Sequence, residues 1–314
     1  MCWRASSPTA IARPRRSPCV TSSSNWSNIA TATTGNLWET SLVHDPLVLL
    51  PSRCAAVNRS VAVVTGAAGD IGRAIAARLA ESHDAVLLLD IDGDALRAAA
   101  ESSGAPERMV PAVCDVTSEE SLADAASRAA RLGRVKTLVN NAGAARAVSL
   151  HDTDGEIWRK DSALNLEAPF LCFRAFADAL KESGGSVVNI ASVNGLAVYG
   201  HPAYSAAKAG LIHLTKLIAV EYGKFGIRAN AVAPGTVRTR AWEARAAANP
   251  QVFEEAKRWY PLRRIVDPED VANAVFFLAS DQAAAITGVC LAVDCGLTAG
   301  QAELAGTFSQ SPHY

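Results

Sequence analysis

From Arg59 onward the chain alternates short aliphatic runs with longer Ala-rich stretches of helical period. The runs VAVVT (61–65), AVLLL (85–89), MVPAV (109–113), KTLVN (136–140), SVVNIA (186–191), IRANAVA (227–233) and VCLAVD (289–294) are largely apolar instead of alternating with polar residues. Such a run describes a strand covered on both faces, and helical stretches between such strands provide the cover. The pattern predicts an α/β protein with a doubly wound parallel sheet of about seven strands and helices on both faces. A helix is expected from Arg73 to Glu81, and two longer ones over about Asp154 to Lys181 and Pro202 to Tyr222. The widest break, Thr236 to Ile265, reads as a lid.

No repeat or linker interrupts residues 59–300, which predicts one domain there, with 301–314 as a C-terminal tail. Residues 1–58 differ from the rest. They are rich in Ser and Thr, carry Arg4, Arg13, Arg15 and Arg16, have no acidic residue before Glu39 and show no periodic apolar face. A disordered extension, an organellar transit peptide and a start placed too far upstream all share that composition; the lack of an amphipathic helix favours the first and last. No continuous apolar core of a secretory signal is present.

The length of 314 residues, 49% of them hydrophobic, suffices for a full core. A net charge of −1 gives no pull toward nucleic acid or anionic lipid, so the expected partner is a small molecule. The apolar runs are too short to span a membrane. The seven cysteines (Cys2, Cys19, Cys54, Cys114, Cys172, Cys290, Cys295) and six histidines (His44, His83, His151, His201, His213, His313) have no zinc spacing. Reduced thiols, no metal and a cytoplasmic setting are expected.

After the first predicted strand comes Thr65-Gly66-Ala67-Ala68-Gly69-Asp70-Ile71-Gly72, leading into a helix. Glycines in a strand-to-helix turn let a diphosphate approach the backbone at the positive helix N-terminus. Asp90 ends the second strand, 18 residues past Gly72, where an acid accepts hydrogen bonds from ribose hydroxyls and repels a 2′-phosphate; Ile91, not Arg, follows. NAD is therefore expected over NADP.

This loop resembles the TGxxxGxG loop of the short-chain dehydrogenase/reductase (SDR) family, a Rossmann-like class, except that Asp70 stands where the second glycine is usual. An acid there disfavours a diphosphate unless it turns away or caps the helix. The resemblance extends over about residues 59 to 300. Asn140-Asn141-Ala142-Gly143 is similar to the family's NNAG signature, and Asp115 with Val116, after the third strand, would meet the adenine. Pro234-Gly235-Thr236-Val237-Arg238-Thr239 resembles the nicotinamide-contacting segment, through Pro234, Gly235, Val237 and Thr239. Cys295 replaces a usual glycine near the end.

Tyr204 and Lys208 lie four residues apart at the start of a helix and so share one face. A phenol is a poor base at neutral pH, and a neighbouring cation favours its phenolate. Ser192 follows the fifth strand, 12 residues before Tyr204, where a hydroxyl can hold a substrate oxygen. By the resemblance, Ser192, Tyr204, Lys208 and Asn165 form the catalytic set. Asn165 would hold a water in a proton relay to the lysine, and Tyr204 and Lys208 would also touch the cofactor. The implied activity is hydride transfer between NAD(P) and a secondary alcohol, sugar or polyol hydroxyl and its carbonyl. A 3-oxoacyl thioester reductase and a non-catalytic dinucleotide sensor are the alternatives. An α/β-hydrolase is excluded because Ala191 and Val193 flank Ser192 where its nucleophile turn needs Gly-x-Ser-x-Gly.

The segment from Thr236 to Arg264 holds seven basic residues (Arg238, Arg240, Arg245, Lys257, Arg258, Arg263, Arg264) against three acids, with Trp242, Trp259 and Tyr260 among them. This suggests an anionic or sugar-like substrate, though solvated arginines on a helical face account for most of the excess. Asn194, His201 and Trp242 are the expected substrate contacts. Small residues on the two long helices favour close packing into a dimer or tetramer, the family's usual assembly.

Overall fold

A computed structural model describes residues 58–314 except 241, 243–245, 248 and 312. The expected N-terminal extension thus lies outside the described residues, save Asn58. Seven strands, β1 (Ser60–Thr65), β2 (Ala85–Asp90), β3 (Met109–Val113), β4 (Arg134–Asn140), β5 (Ser186–Ile190), β6 (Arg228–Pro234) and β7 (Cys290–Val293), form one sheet in the order β3-β2-β1-β4-β5-β6-β7. Every neighbouring pair is parallel.

Alternation along the strands divides the core. Val61 and Val63 of β1 face one layer, with Leu122 of α3 (Glu119–Leu132), Phe176 of α5 (Ala168–Ser183) and Ile218 of α6 (Pro202–Tyr222). Ala62 and Val64 face the other, with Ile75 of α1 (Asp70–Leu79), Leu96 of α2 (Gly93–Glu101) and Val275 of α8 (Pro268–Ala279). Apolar residues at consecutive strand positions are what this two-sided cover requires.

The strand order reverses between β1 and β4, and the carboxyl ends of the flanking strands open a crevice there, the usual ligand position in such sheets. Three details differ from the sequence reading. Helix α1 begins at Asp70, not Arg73, because the glycine turn closes by Gly69 N–H to Gly66 C=O and Gly69 C=O already accepts from Arg73. The long helix expected to begin at Asp154 is α4 (Gly155–Ser162), a wide π-type turn over 163–167, then α5. The segment after Gly300 carries helix α9 (Ala302–Ser309), whose mixed composition offered little periodic signal. Among the described residues of the lid lie a short helix, α7 (Val252–Lys257), and an isolated bridge between Val237 and Val266.

Candidate active site

At the switch point the Thr65 hydroxyl accepts the backbone N–H of both Asn141 (2.9 Å) and Ala142 (3.0 Å). The Asn141 amide in turn donates to the carbonyls of Thr65 (2.9 Å) and Gly66 (3.0 Å). The glycine loop and the segment after β4 are thereby one unit. A Cβ on Gly72 would stand 2.3 Å from the Gly66 carbonyl oxygen, and one on Gly66, at φ +64°, 2.8 Å from Ala142 Cα, so neither position accepts a side chain.

Asp70 turns away from the loop. Its carboxylate accepts from the Arg240 backbone N–H at 2.8 Å and from Arg240 Nε at 2.6 Å. Asp90 closes β2 and accepts from Ala68 N–H at 3.0 Å, which fixes the carboxylate beside the glycine loop. The next residue, Ile91, is 71% exposed and brings no cation. Asp115 is exposed and accepts from Thr117, whose hydrogen bonds lower its pKa; Val116 is buried.

A cavity of about 640 Å³ continues from this unit. Ile71, Asn141, Gly143, Pro234, Gly235, Val237 and Thr239 line one part of it, and Ser192, Tyr204 and Lys208 line it together with Asn194, His201 and Trp242. Gly66, Asp70, Gly72, Asp90, Asp115, Val116 and Ala142 are not in its wall; they follow the ends of β1 to β4. The sequence-predicted residues are therefore split between the strand ends and the wall of the cavity.

Lys208 is buried and its ammonium donates to the Ile190 carbonyl at 2.7 Å. Its Nζ lies 5.4 Å from the centre of the Tyr204 ring. Burial pulls the Lys208 pKa down to about 7. Burial pushes the Tyr204 phenol up, against a hydrogen bond with the Ser192 side chain that lowers it, and the charge of Asp161 adds to the upward shift. The largest cause of both shifts is the same, the cost of burying a charge.

Asn165 sits in the π-type turn, fully buried, and its amide donates to the carbonyls of Ala144 (2.8 Å) and Asp161 (2.9 Å). Its Oδ1 is buried without a protein partner among the described residues. A Cβ built on Gly143 would fall 2.7 Å from that oxygen and 3.3 Å from Lys208 Nζ, so Gly143 keeps the space between them open. An unpaired buried acceptor next to an ammonium fits a water or a cofactor hydroxyl.

The Ser192 hydroxyl accepts from Asn194 N–H at 3.1 Å, and Asn194 itself donates to the Gly200 carbonyl at 2.9 Å. His201 is held at φ +54° immediately before α6, with its Nδ1 2.9 Å from the Ala147 carbonyl. Sequence reasoning did not assign Tyr199, Arg258, Arg263 or Gln301 through Glu303, which also line the cavity. Residues 301–303 gave no signal, since only folding brings them to the lid.

The fold and crevice define a dinucleotide-binding protein of the doubly wound class. A family model described as enoyl-(acyl carrier protein) reductase matches residues 66–298. A crystal structure of an SDR-family oxidoreductase from Burkholderia thailandensis is 46% identical, covers 82% of this chain and 100% of its own, and superposes with a TM-score of 0.77. Among curated proteins, 2-(S)-hydroxypropyl-CoM dehydrogenase 3 of Xanthobacter autotrophicus is 39% identical over 77% of this chain and 98% of its own. Cis-4-hydroxycyclohexanecarboxylate dehydrogenase of Sinomonas cyclohexanicum is 40% identical over 76% and 96%.

The chain belongs to the short-chain dehydrogenase/reductase family. It is an NAD(P)-dependent oxidoreductase that interconverts CH–OH groups and carbonyls of small molecules. No helix among the described residues is long and apolar enough to cross a membrane.

Proposed function

We propose that this protein is an NAD-dependent secondary-alcohol dehydrogenase in which Tyr204 exchanges the hydroxyl proton. The observation that carries the reading is the convergence of Ser192, Tyr204 and Lys208 on one cavity that continues the glycine-loop unit. Bound nicotinamide supplies the hydride acceptor. Ser192 holds the substrate oxygen beside the Tyr204 phenol. Lys208 in its ammonium form stabilises the phenolate as the proton leaves, offsetting the desolvation that otherwise disfavours it. Asn165, through the buried acceptor space beside Gly143, holds the water through which Lys208 exchanges protons with solvent.

Gly66, Ile71 and Gly72 would hold the diphosphate of the dinucleotide, Asp90 the adenosine ribose, and Asp115 and Val116 the adenine. Ala142 and Gly143 bound the ribose path. Asp90 together with the uncharged Ile91 favours NAD over NADP. The active form is a homo-oligomer built on α5 and α6, whose Phe170, Leu217 and Val220 are exposed in the monomer. The setting is cytoplasmic. The catalytic domain begins near Arg59 and extends through β7 to about Gly300.

The test is NADH formation by the purified protein with a panel of polyols, hydroxy acids and cyclic alcohols, with NADP+ run beside NAD+. Tyr204→Phe is expected to lower kcat by about 10²-fold or more and to leave NADH binding intact. Wild-type turnover in that variant sinks the role of Tyr204.

A further inference from the structure

Of the seven basic residues in the lid, Arg245 lies outside the described residues, and the other six fall into two groups in the fold. Arg238 approaches Asp267, Arg240 pairs with Asp70, Lys257 with Glu254, and Arg264 with Asp270. None of these four lines the cavity. Arg258 and Arg263 do line it, and neither has a carboxylate within ion-pair distance among the described residues. Among the described residues the cavity wall holds one carboxylate, Glu303, which is not paired with either.

Arg263 is tied to the backbone of Arg258, and both side chains line the cavity. Arg263 Nη1 donates to the Arg258 carbonyl at 3.4 Å, while the Arg258 guanidinium is stacked 4.7 Å above the centre of the Trp259 ring. Two cations facing one cavity with no carboxylate partner among the described residues give it a positive potential that attracts an anion.

The turn that presents them is fixed to the catalytic end. Tyr260 Oη accepts from Thr236 N–H at 3.0 Å, next to Gly235, and Leu262 N–H donates to the Cys295 carbonyl at 3.1 Å. Arg263 has a left-handed backbone, φ +55°, where glycine is the unstrained residue. A long cation is kept at a position that backbone energetics would give to glycine, which is a mark of a side chain with a task.

We propose that Arg258 and Arg263 form an anion subsite, so that the preferred substrate is a secondary alcohol or ketone carrying a carboxylate, sulfonate or phosphate away from the reacting carbon. The inference rests on the reading of this cavity as the substrate pocket. Planar guanidinium forks suit such groups, and the Trp259 ring under Arg258 limits its freedom before the anion arrives. The Sinomonas relative is named for a substrate of this class, a hydroxycyclohexanecarboxylate.

Tryptophan fluorescence gives a readout independent of turnover, since Trp242 and Trp259 line the cavity. The full chain is titrated with cyclohexanecarboxylate and with cyclohexanecarboxamide, with and without NAD+. The carboxylate is expected to bind at least about tenfold tighter than the amide, a difference that charge-assisted hydrogen bonds support. Arg263→Gly, which suits the left-handed backbone and keeps the fold, and Arg258→Gln should each remove that preference while Tm stays near wild type. Equal affinity for acid and amide, no binding of either, or a preference intact in both variants overturns the subsite. NADH formation separates this from the dehydrogenase reading: turnover of neutral alcohols with no gain from an added carboxylate defeats the subsite alone. Selective carboxylate binding without any turnover defeats the dehydrogenase and leaves the subsite standing.

Discussion

Asp70, which occupies a glycine position of the cofactor loop, spends its carboxylate on Arg240 of the lid, accepting from both its backbone N–H and its Nε. Asp70 thus ties the N-terminus of α1, the proposed diphosphate site, to the segment proposed to cover the substrate. The acid is neutralised where a free carboxylate would repel a phosphate.

Cutting this tether should act on lid closure more than on stability. The Arg240 side chain is 62% exposed, so solvent screens the pair and its loss should cost well under about 1 kcal/mol of folding. Asp70→Ala is expected to raise the KM for the alcohol several-fold and to shift Tm by no more than about 3 °C. Steady-state kinetics with thermal melting checks this, and an unchanged substrate KM would remove the tether from lid function.

Cofactor choice should follow the end of β2. Asp90→Ala combined with Ile91→Arg replaces a carboxylate that repels a 2′-phosphate with a guanidinium that pairs with one. The ratio of kcat/KM for NAD+ over NADP+ should fall by at least about tenfold. A ratio that does not move places cofactor selectivity elsewhere.

Gly143→Ala should damage chemistry without unfolding the sheet. The added methyl would stand 2.7 Å from Asn165 Oδ1 and 3.3 Å from Lys208 Nζ, and it fills the space proposed for the relay water. A fall in kcat of about tenfold or more is expected, with a shifted pH profile and NADH affinity changed less than kcat. Wild-type kcat with an unaltered pH profile would show that the space carries no proton traffic.

His83 gives an acid limit to stability. It is buried, its Nε2 lies 3.0 Å from the Thr137 hydroxyl, and burial lowers its pKa. The unfolded chain takes up a proton there near pH 6.5, and the folded site takes it up only at lower pH. Its stabilising contribution is therefore full above about 6.5 and is lost as pH falls through the folded value. His83→Gln should flatten the decline of Tm between about pH 7 and pH 5 relative to wild type; parallel declines would exclude His83 as a source.

Much of this architecture is written in local sequence. Strands buried on both faces need apolar residues at successive positions, so β1 through β7 could be read within a residue or two at most ends. The Tyr204–Lys208 spacing places two groups on one helical face by geometry alone. The glycines at 66 and 72 announced a turn because only glycine clears the contacts made there.

What the sequence could not supply was pairing across distance. Asp70 read as an isolated departure until Arg240, 170 residues later, was brought to it. The six described lid cations looked equivalent until folding paired four of them outside the cavity and left Arg258 and Arg263 in its wall. The segment after Gly300 has no strong period, yet Gln301 through Glu303 complete the same cavity. Periodicity records which face of an element is buried, because burial acts on each residue locally. Which charges meet, and which remain for a ligand, depends on contacts between residues far apart in the chain, and those exist only once the tertiary structure has formed.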